Sequence, residues 1–419
     1  MKKLIKGLIG EERAHDLRAS YEYLKSLKYN FGSRNIVCGH EPDYEFYQLE
    51  MSRKHVFCGY FDITPDNPDN PDEILVNVLE KNARAGRDPL EIWIADYKKG
   101  TFYKAAETRA WCWQMGCRSR WSHDGQSVYY NEYRNGGYIL IKKKILTEEK
   151  KDYPMAVYDI APDEKWGLSL NFDRLQALRP GYGYSNNMDG YVIDSAVPAN
   201  DGIYFVDLEK GREELIVTYK ELNALIPDIE KGAGYINHIS IAPDSRHAMF
   251  FYVWQSDRRP GFKATLWVMN VFSGELKCLE RKDIVSHYAW IDASHILITG
   301  VDQDYIGFYR IYNIETGSHE TIESPYLKQD GHPGIVHNGI SFFSDTYPDD
   351  QYKQHFFYYE NGKYERIVSL YHNPLMYGEK RCDLHPHIFR DRNRAALDTT
   401  YQSGKRSILV VEPHDERTK

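Results

Sequence analysis

One phrase recurs along this chain and constrains its fold more than any other feature: an apolar, aromatic strand, then Asp or Asn, then Gly four residues later, then a second strand. Clear copies run from Ile92-Trp93-Ile94-Ala95-Asp96 to Gly100, from Ile203-Tyr204-Phe205-Val206-Asp207 to Gly211, from Leu266-Trp267-Val268-Met269-Asn270 to Gly274, and from Phe308-Tyr309-Arg310-Ile311-Tyr312-Asn313 to Gly317. Weaker copies at 138–142, 356–362 and 408–411 bring the number to seven. In such a turn the Asx side chain bonds neighbouring backbone N–H groups, and Gly supplies the positive φ that lets the second strand return. Most copies have a neighbouring tight corner: His123-Asp124-Gly125, Ala161-Pro162-Asp163, Ala242-Pro243-Asp244, Ile291-Asp292-Ala293, His337-Asn338-Gly339 and Arg390-Asp391-Arg392.

Corner plus hairpin makes four strands in roughly 45 to 60 residues, which is the unit of a β-propeller. The chain is therefore expected to be all-β, a single seven-bladed β-propeller over residues 31–413, its last blade closed by a strand from the N-terminal region so that no edge stays open. Residues 1–30 form an extension before the ring, with Leu17, Tyr21, Leu24 and Leu27 at the spacing of an amphipathic helix over 11–29. Residues 414–419 are a tail. The acidic, turn-rich stretch 65–72 and the stretch 185–200 read as loop excursions.

Composition agrees with strands: 34 Tyr, 17 Phe and 8 Trp are many for a helical protein. A formal charge of −8 without a basic block argues against a nucleic-acid partner, and an anionic substrate would need a local basic pocket. No run reaches the length of a membrane span. The opening Met-Lys-Lys-Leu-Ile-Lys-Gly lacks the apolar length and cleavage site of a secretory signal, and six scattered cysteines suit reduced thiols, so a cytoplasmic location is expected. The oligomeric state is not legible.

Innermost propeller strands line a central channel, and counting back from the corners finds where they begin. His238 lies six residues before Asp244, His332 six before Asn338, His385 six before Asp391 and His287 five before Asp292. Four of the 16 histidines thus fall in register on successive blades. The densest ligand phrase is Cys382-Asp383-Leu384-His385-Pro386-His387. If 385–387 is extended, the two imidazoles share a side, and Cys382 and His332 complete a set for a divalent metal, Zn first and Mn next. The other reading is a buried free Cys beside ordinary histidines. No organic cofactor is expected. The segment 168–184, with Arg174, Arg179, Tyr182 and Tyr184, offers guanidinium groups for a carboxylate and phenols for proton exchange; the other reading is a loop packed on the ring with its arginines in salt bridges.

These stretches resemble the propeller-fold polysaccharide lyases, namely oligogalacturonate lyase and, more closely, the ulvan lyase-like family. The similar stretches are Ala110-Trp111-Cys112-Trp113-Gln114-Met115-Gly116-Cys117, residues 170–184, Asn237-His238, Ser286-His287, Asp330-Gly331-His332, Asp345-Thr346-Tyr347-Pro348-Asp349 and Arg381-Cys382-Asp383-Leu384-His385-Pro386. The resemblance implies β-elimination beside a uronic acid in an anionic oligosaccharide. It implies catalytic roles for Arg174, His238 and Tyr184 and a metal on Cys382, His385 and His387, to which the register adds His332; Arg179, Tyr182, Gln114 and His287 are the candidates for substrate contact. Cys382 stands where oligogalacturonate lyase has Gln. Two alternatives stay open, a non-catalytic propeller that binds glycan or protein and a glycoside hydrolase needing a carboxylate pair.

Overall fold

Every clear copy of the hairpin phrase becomes the outer two strands of a blade. The strand Leu90–Asp96 turns into Thr101–Thr108, Gly202–Asp207 into Arg212–Thr218, Phe262–Asn270 into Leu276–Glu280, and Gly307–Asn313 into His319–Thr321. The turn chemistry is the expected one. Asn270 Oδ1 accepts the backbone N–H groups of Phe272 and Ser273, and Gly274, at φ +74°, donates to the Asn270 carbonyl at 2.9 Å. Asp207 and Asn313 repeat the arrangement. The corners join first to second strands in the same way, with Asp244 Oδ1 accepting the N–H groups of Arg246 and His247.

The computed structural model describes residues 11–30, 37–38, 43–226, 232–255, 261–337, 340–402 and 404–414. Within them lie seven antiparallel sheets of four or five strands, a seven-bladed propeller with three short helices. The innermost strands are Lys54–Phe57, Arg120–Trp121, Asp159–Ile160, Gly234–Ile241, Ile284–Trp290, Gly334–Ile335 and His387–Ile388. The corner expected at His337-Asn338-Gly339 has Asn338 and Gly339 outside the described residues. The ring closes as expected: Tyr44–Leu49 pairs with Ser407–Pro413, from Tyr44 opposite Pro413 to Leu49 opposite Ile408, and completes the seventh blade. An unforeseen strand, Val37–Cys38, adds a fifth member to the sixth blade alongside Lys363–Tyr371.

The helix Glu11–Asn30, here α1, forms over the expected span, but its apolar stripe does not pack. Leu17, Tyr21 and Leu24 are exposed, while Ala19 and Ser26 are buried. The sixth blade presents tyrosine hydroxyls to the helix, and these need polar partners. Ser26 meets the Tyr371 hydroxyl at 2.5 Å, and Glu22 accepts the Tyr352 hydroxyl at 2.5 Å. Hydrogen-bonding demand at the docking wall, rather than the apolar spacing, sets which face turns inward. Among the described residues no helix is long and apolar enough to cross a membrane.

Candidate metal centre at the mouth of the channel

Four histidines do meet at the axis. Ring centroids of His287 and His332 lie 3.9 Å apart, His332 and His385 4.5 Å, and His238 and His287 6.1 Å. Tyr60 closes the circle, stacked 5.1 Å from His238 and set edge-on 4.9 Å from His385. His238 and His287 sit at irregular points of their strands, and His332 and His385 stand two residues before theirs. The register shifts beside His238 and His287, and His238 and His385 hold φ of +55° and +43°, a left-handed backbone that costs energy outside glycine.

The segment after the first innermost strand carries Tyr60, Phe61 and Asp62 into the channel. Arg118, fully buried, forks onto Asp62 at 2.7 and 2.9 Å and donates from Nε to the Tyr158 carbonyl at 2.8 Å, which anchors that segment. Above it a narrow cleft of ≈ 50 Å³ is lined by Arg179, Tyr182, His238, His287 and Tyr347. Further along the inner strands a second cavity of ≈ 510 Å³ runs past Phe61, Asp62 and Trp290.

The ring nitrogens identify ligand capacity. The Nδ1 atom of His332 lies 2.8 Å from Asp345, that of His385 2.9 Å from the Gly59 carbonyl and that of His387 3.1 Å from the Ile63 carbonyl. Donation through Nδ1–H leaves Nε2 as the lone-pair nitrogen, and in all three residues Nε2 is buried without a hydrogen-bond partner. An imidazole pinned at Nδ1 with an orphaned Nε2 is the arrangement of a metal ligand and its supporting acceptor. Burial first, and neighbouring imidazoles second, hold His238, His332 and His385 well below the ordinary imidazole range, so they are neutral and able to ligate.

The ligand atoms of His332, His385 and Asp383 all lie within 4.8 Å of one another. Arg381 grips Asp383 through Nε at 3.0 and 2.7 Å and an Nη at 2.6 Å. Burial opposes ionisation of Asp383, but Arg381 and then His385 hold its carboxyl well below the usual range. Two imidazoles and a carboxylate suit Zn with an open position, and they suit Mn or Fe as well.

Cys382 and His387 lie outside this group. Left-handed backbone at His385 breaks the extended run assumed for 385–387, so the two imidazoles do not share a side. His387 falls in with Cys58 and Asp398 instead. The Cys382 thiol has only a long contact, 4.0 Å, as donor to the Asp383 carbonyl, and burial pushes this thiol up to about 12. Asp383 stands inside the ligand phrase, but nothing in the sequence marks it as a ligand, since its place beside two imidazoles depends on that turn and on Arg381. His287 lies at the mouth with Nδ1 3.1 Å from Asp330; burial would raise that carboxyl, but His287 brings it down to about 2.

Arg174 and Tyr184 are not at the mouth. The Arg174 guanidinium donates to the carbonyls of Gly234, Ser195 and Ala196 at 2.8, 3.0 and 2.7 Å and stacks on Tyr219. It ties down the 185–200 excursion and is buried there, with three of its five N–H donors committed to carbonyls. Tyr184 stacks on Phe172 with centroids 4.3 Å apart and bonds Asn131 in the core. Gln114 Nε2 donates to the carbonyls of Glu379 and Arg381, which holds the Arg381 loop. Arg179 and Tyr182 do reach the cleft: Arg179 lies over the Tyr182 ring, and the Tyr182 hydroxyl is 3.4 Å from Arg381.

No family model and no curated protein matches the chain. Solved structures similar to it include TolB from Acinetobacter baumannii, 15% identical over 76% of this chain and 64% of that one at a TM-score of 0.39. They include the tricorn protease, 12% identical over 91% of this chain and 35% of that one at 0.49. A third is the Pyrococcus horikoshii acylaminoacyl peptidase, 13% identical over 85% and 50% at 0.46. The chain thus spans between about a third and two thirds of these structures' length. All share the propeller, some are enzymes, and none is a polysaccharide lyase. The expected lyase acting beside a uronic acid does not hold: Arg174 and Tyr184, the Arg and Tyr assigned to the elimination, are spent on the fold away from the mouth.

Proposed function

We propose that the channel mouth is a divalent metal centre that takes a small anionic ligand. His332, His385 and Asp383 hold the ion, Zn first and Mn next, with a position left for the ligand. When bound, such an ion polarises an oxygen of the ligand beside it. The reading is carried by two buried imidazoles, each pinned at Nδ1 and orphaned at Nε2, with a carboxylate in reach of both. Arg179, over the Tyr182 ring at the cleft, supplies positive charge toward an anion, and Arg381, paired with Asp383, reaches the Tyr182 hydroxyl beside it. The His287–Asp330 pair beside His332 is placed to hold or pass a proton.

The test is elemental analysis of protein purified without chelator, beside His332→Ala and His385→Ala. Near-stoichiometric Zn or Mn that falls by about one equivalent in each variant supports the centre. Less than about a tenth of an equivalent of any transition metal in the wild type, with no calorimetric uptake of Zn(II) or Mn(II) by the stripped protein, overturns it. Phosphate or a small carboxylate should then bind the loaded protein more tightly than the Arg381→Gln variant.

A further inference from the structure

Ring closure brings a second set of donors together, sharing no residue with the axial group. Cys58 follows the innermost strand of the first blade, His387 begins the innermost strand of the last blade, and Asp398 lies on that blade's second strand, Ala395–Thr399. Their ligand atoms all lie within 4.8 Å of one another. The seam between the two blades runs through this point.

The donors are already oriented. Asp398 accepts the backbone N–H of Cys58 at 2.7 Å through one oxygen and that of Gly59 at 3.3 Å through the other, so its carboxylate is fixed against the segment that carries the sulfur. His387 is 1% exposed, with Nδ1 committed to the Ile63 carbonyl at 3.1 Å and Nε2 buried and unpartnered. A lone pair buried without a donor needs an explanation, and a thiol and a carboxylate lie within its reach.

We propose that Cys58, His387 and Asp398 hold a second divalent ion, Zn(II) by the chemistry of the set, as a structural clasp joining the first and last blades. Sulfur, imidazole and carboxylate are all Zn ligands, and thiolate selects Zn over Mn or Mg. Binding releases the thiol proton to solvent and involves no redox step. A propeller closed by backbone pairing at its outermost strand, Tyr44–Leu49 on Ser407–Pro413, gains here a tie at the innermost strands of the same seam.

Cobalt separates this site from the axial one, because His332, Asp383 and His385 include no sulfur. Stripped wild-type protein loaded with Co(II) should show a thiolate-to-cobalt absorption band in the near ultraviolet. The band should vanish in Cys58→Ser and persist in Cys382→Ser and in His332→Ala. A wild type that takes up cobalt without the band, or a band that survives Cys58→Ser, overturns the clasp whatever becomes of the axial centre. Because Cys58→Ser can fail to fold, a second measurement uses the wild type alone. Iodoacetamide labelling mapped by peptide mass should modify Cys58 at least about tenfold more slowly with Zn(II) than after chelation, and equal rates overturn the proposal. Chelation should also lower Tm by about 5 °C in the wild type and by much less in Cys58→Ser.

Discussion

Replacing Arg118 by Met removes the cation that holds the Tyr60–Phe61–Asp62 segment in the channel. The side chain is 0% exposed and Asp62 6%, so the remaining carboxylate keeps only the Tyr288 hydroxyl, at 2.8 Å, from its present side-chain donors. A buried charge stripped of its partner costs about 3–5 kcal/mol. For a chain of 419 residues that corresponds to a fall in Tm of about 5 °C. Asp62→Asn should cost a similar amount, since it leaves the buried guanidinium without an anion, facing only an amide oxygen, the Tyr158 carbonyl and the Tyr158 ring. The double variant removes both charges and should recover a large part of the loss, leaving it well short of the summed singles. Urea denaturation followed by tryptophan fluorescence measures all four corners of the cycle. The same segment seats Tyr60 against His238 and His385, so Zn(II) uptake by calorimetry should weaken in Arg118→Met and partly return in the double variant. A loss below about 1 kcal/mol in Arg118→Met, or simple additivity in the double variant, would refute this account.

Three further outcomes follow from single sites. His55 is buried, its Nδ1 accepts the Arg406 backbone N–H, and burial first with Arg406 second brings its pKa down to about 4. A folded value below the unfolded one means that stability is lost as pH falls from about 6.5 through 4, by about 3 kcal/mol, and urea midpoints of His55→Gln should fall less steeply over that window. A Cβ at Gly183 would stand 2.2 Å from the Gln176 nitrogen and from the Phe172 carbonyl oxygen, so Gly183→Ala should fail to yield soluble folded protein, as judged by circular dichroism after expression. Arg174→Met loses three hydrogen bonds to carbonyls and should speed proteolysis within 185–200 several-fold while leaving bound metal unchanged; loss of metal without a change in proteolysis would place Arg174 back at the site.

How legible the molecule was depends on how local each cause is. An Asx side chain three bonds from the turn it stabilises, and a Gly whose φ the turn requires, announce a hairpin wherever they occur, and Asp207, Asn270 and Asn313 behave as their spacing says. Helix α1 was legible as a helix, but not its orientation, because the hydroxyls of Tyr352 and Tyr371 that select its inner face lie more than 300 residues away. The Arg and Tyr cluster of 168–184 was misread for a related reason. A guanidinium bound to two carbonyls of one excursion and one of an inner strand has the same sequence signature as one awaiting a carboxylate, and likeness to a lyase family lent it a role that its buried, committed position denies.

The histidines show where the boundary runs. In a propeller, position within the repeat maps onto radius and height, so residues in register on successive blades converge at the axis whatever their side chains. That is why His238, His287, His332 and His385 were found by counting. Direction is a different matter, since the alternation of side chains holds only while the strand stays extended. At His385 the backbone turns left-handed, Asp383 rather than Cys382 comes to face the imidazoles, and His387 is handed to the neighbouring seam with Cys58 and Asp398. One strained residue thus divides a single ligand phrase between two sites. A substitution that favours that backbone, His385→Gly, should therefore remove one axial ligand yet leave the cobalt–thiolate band intact, whereas a single shared site would lose both together.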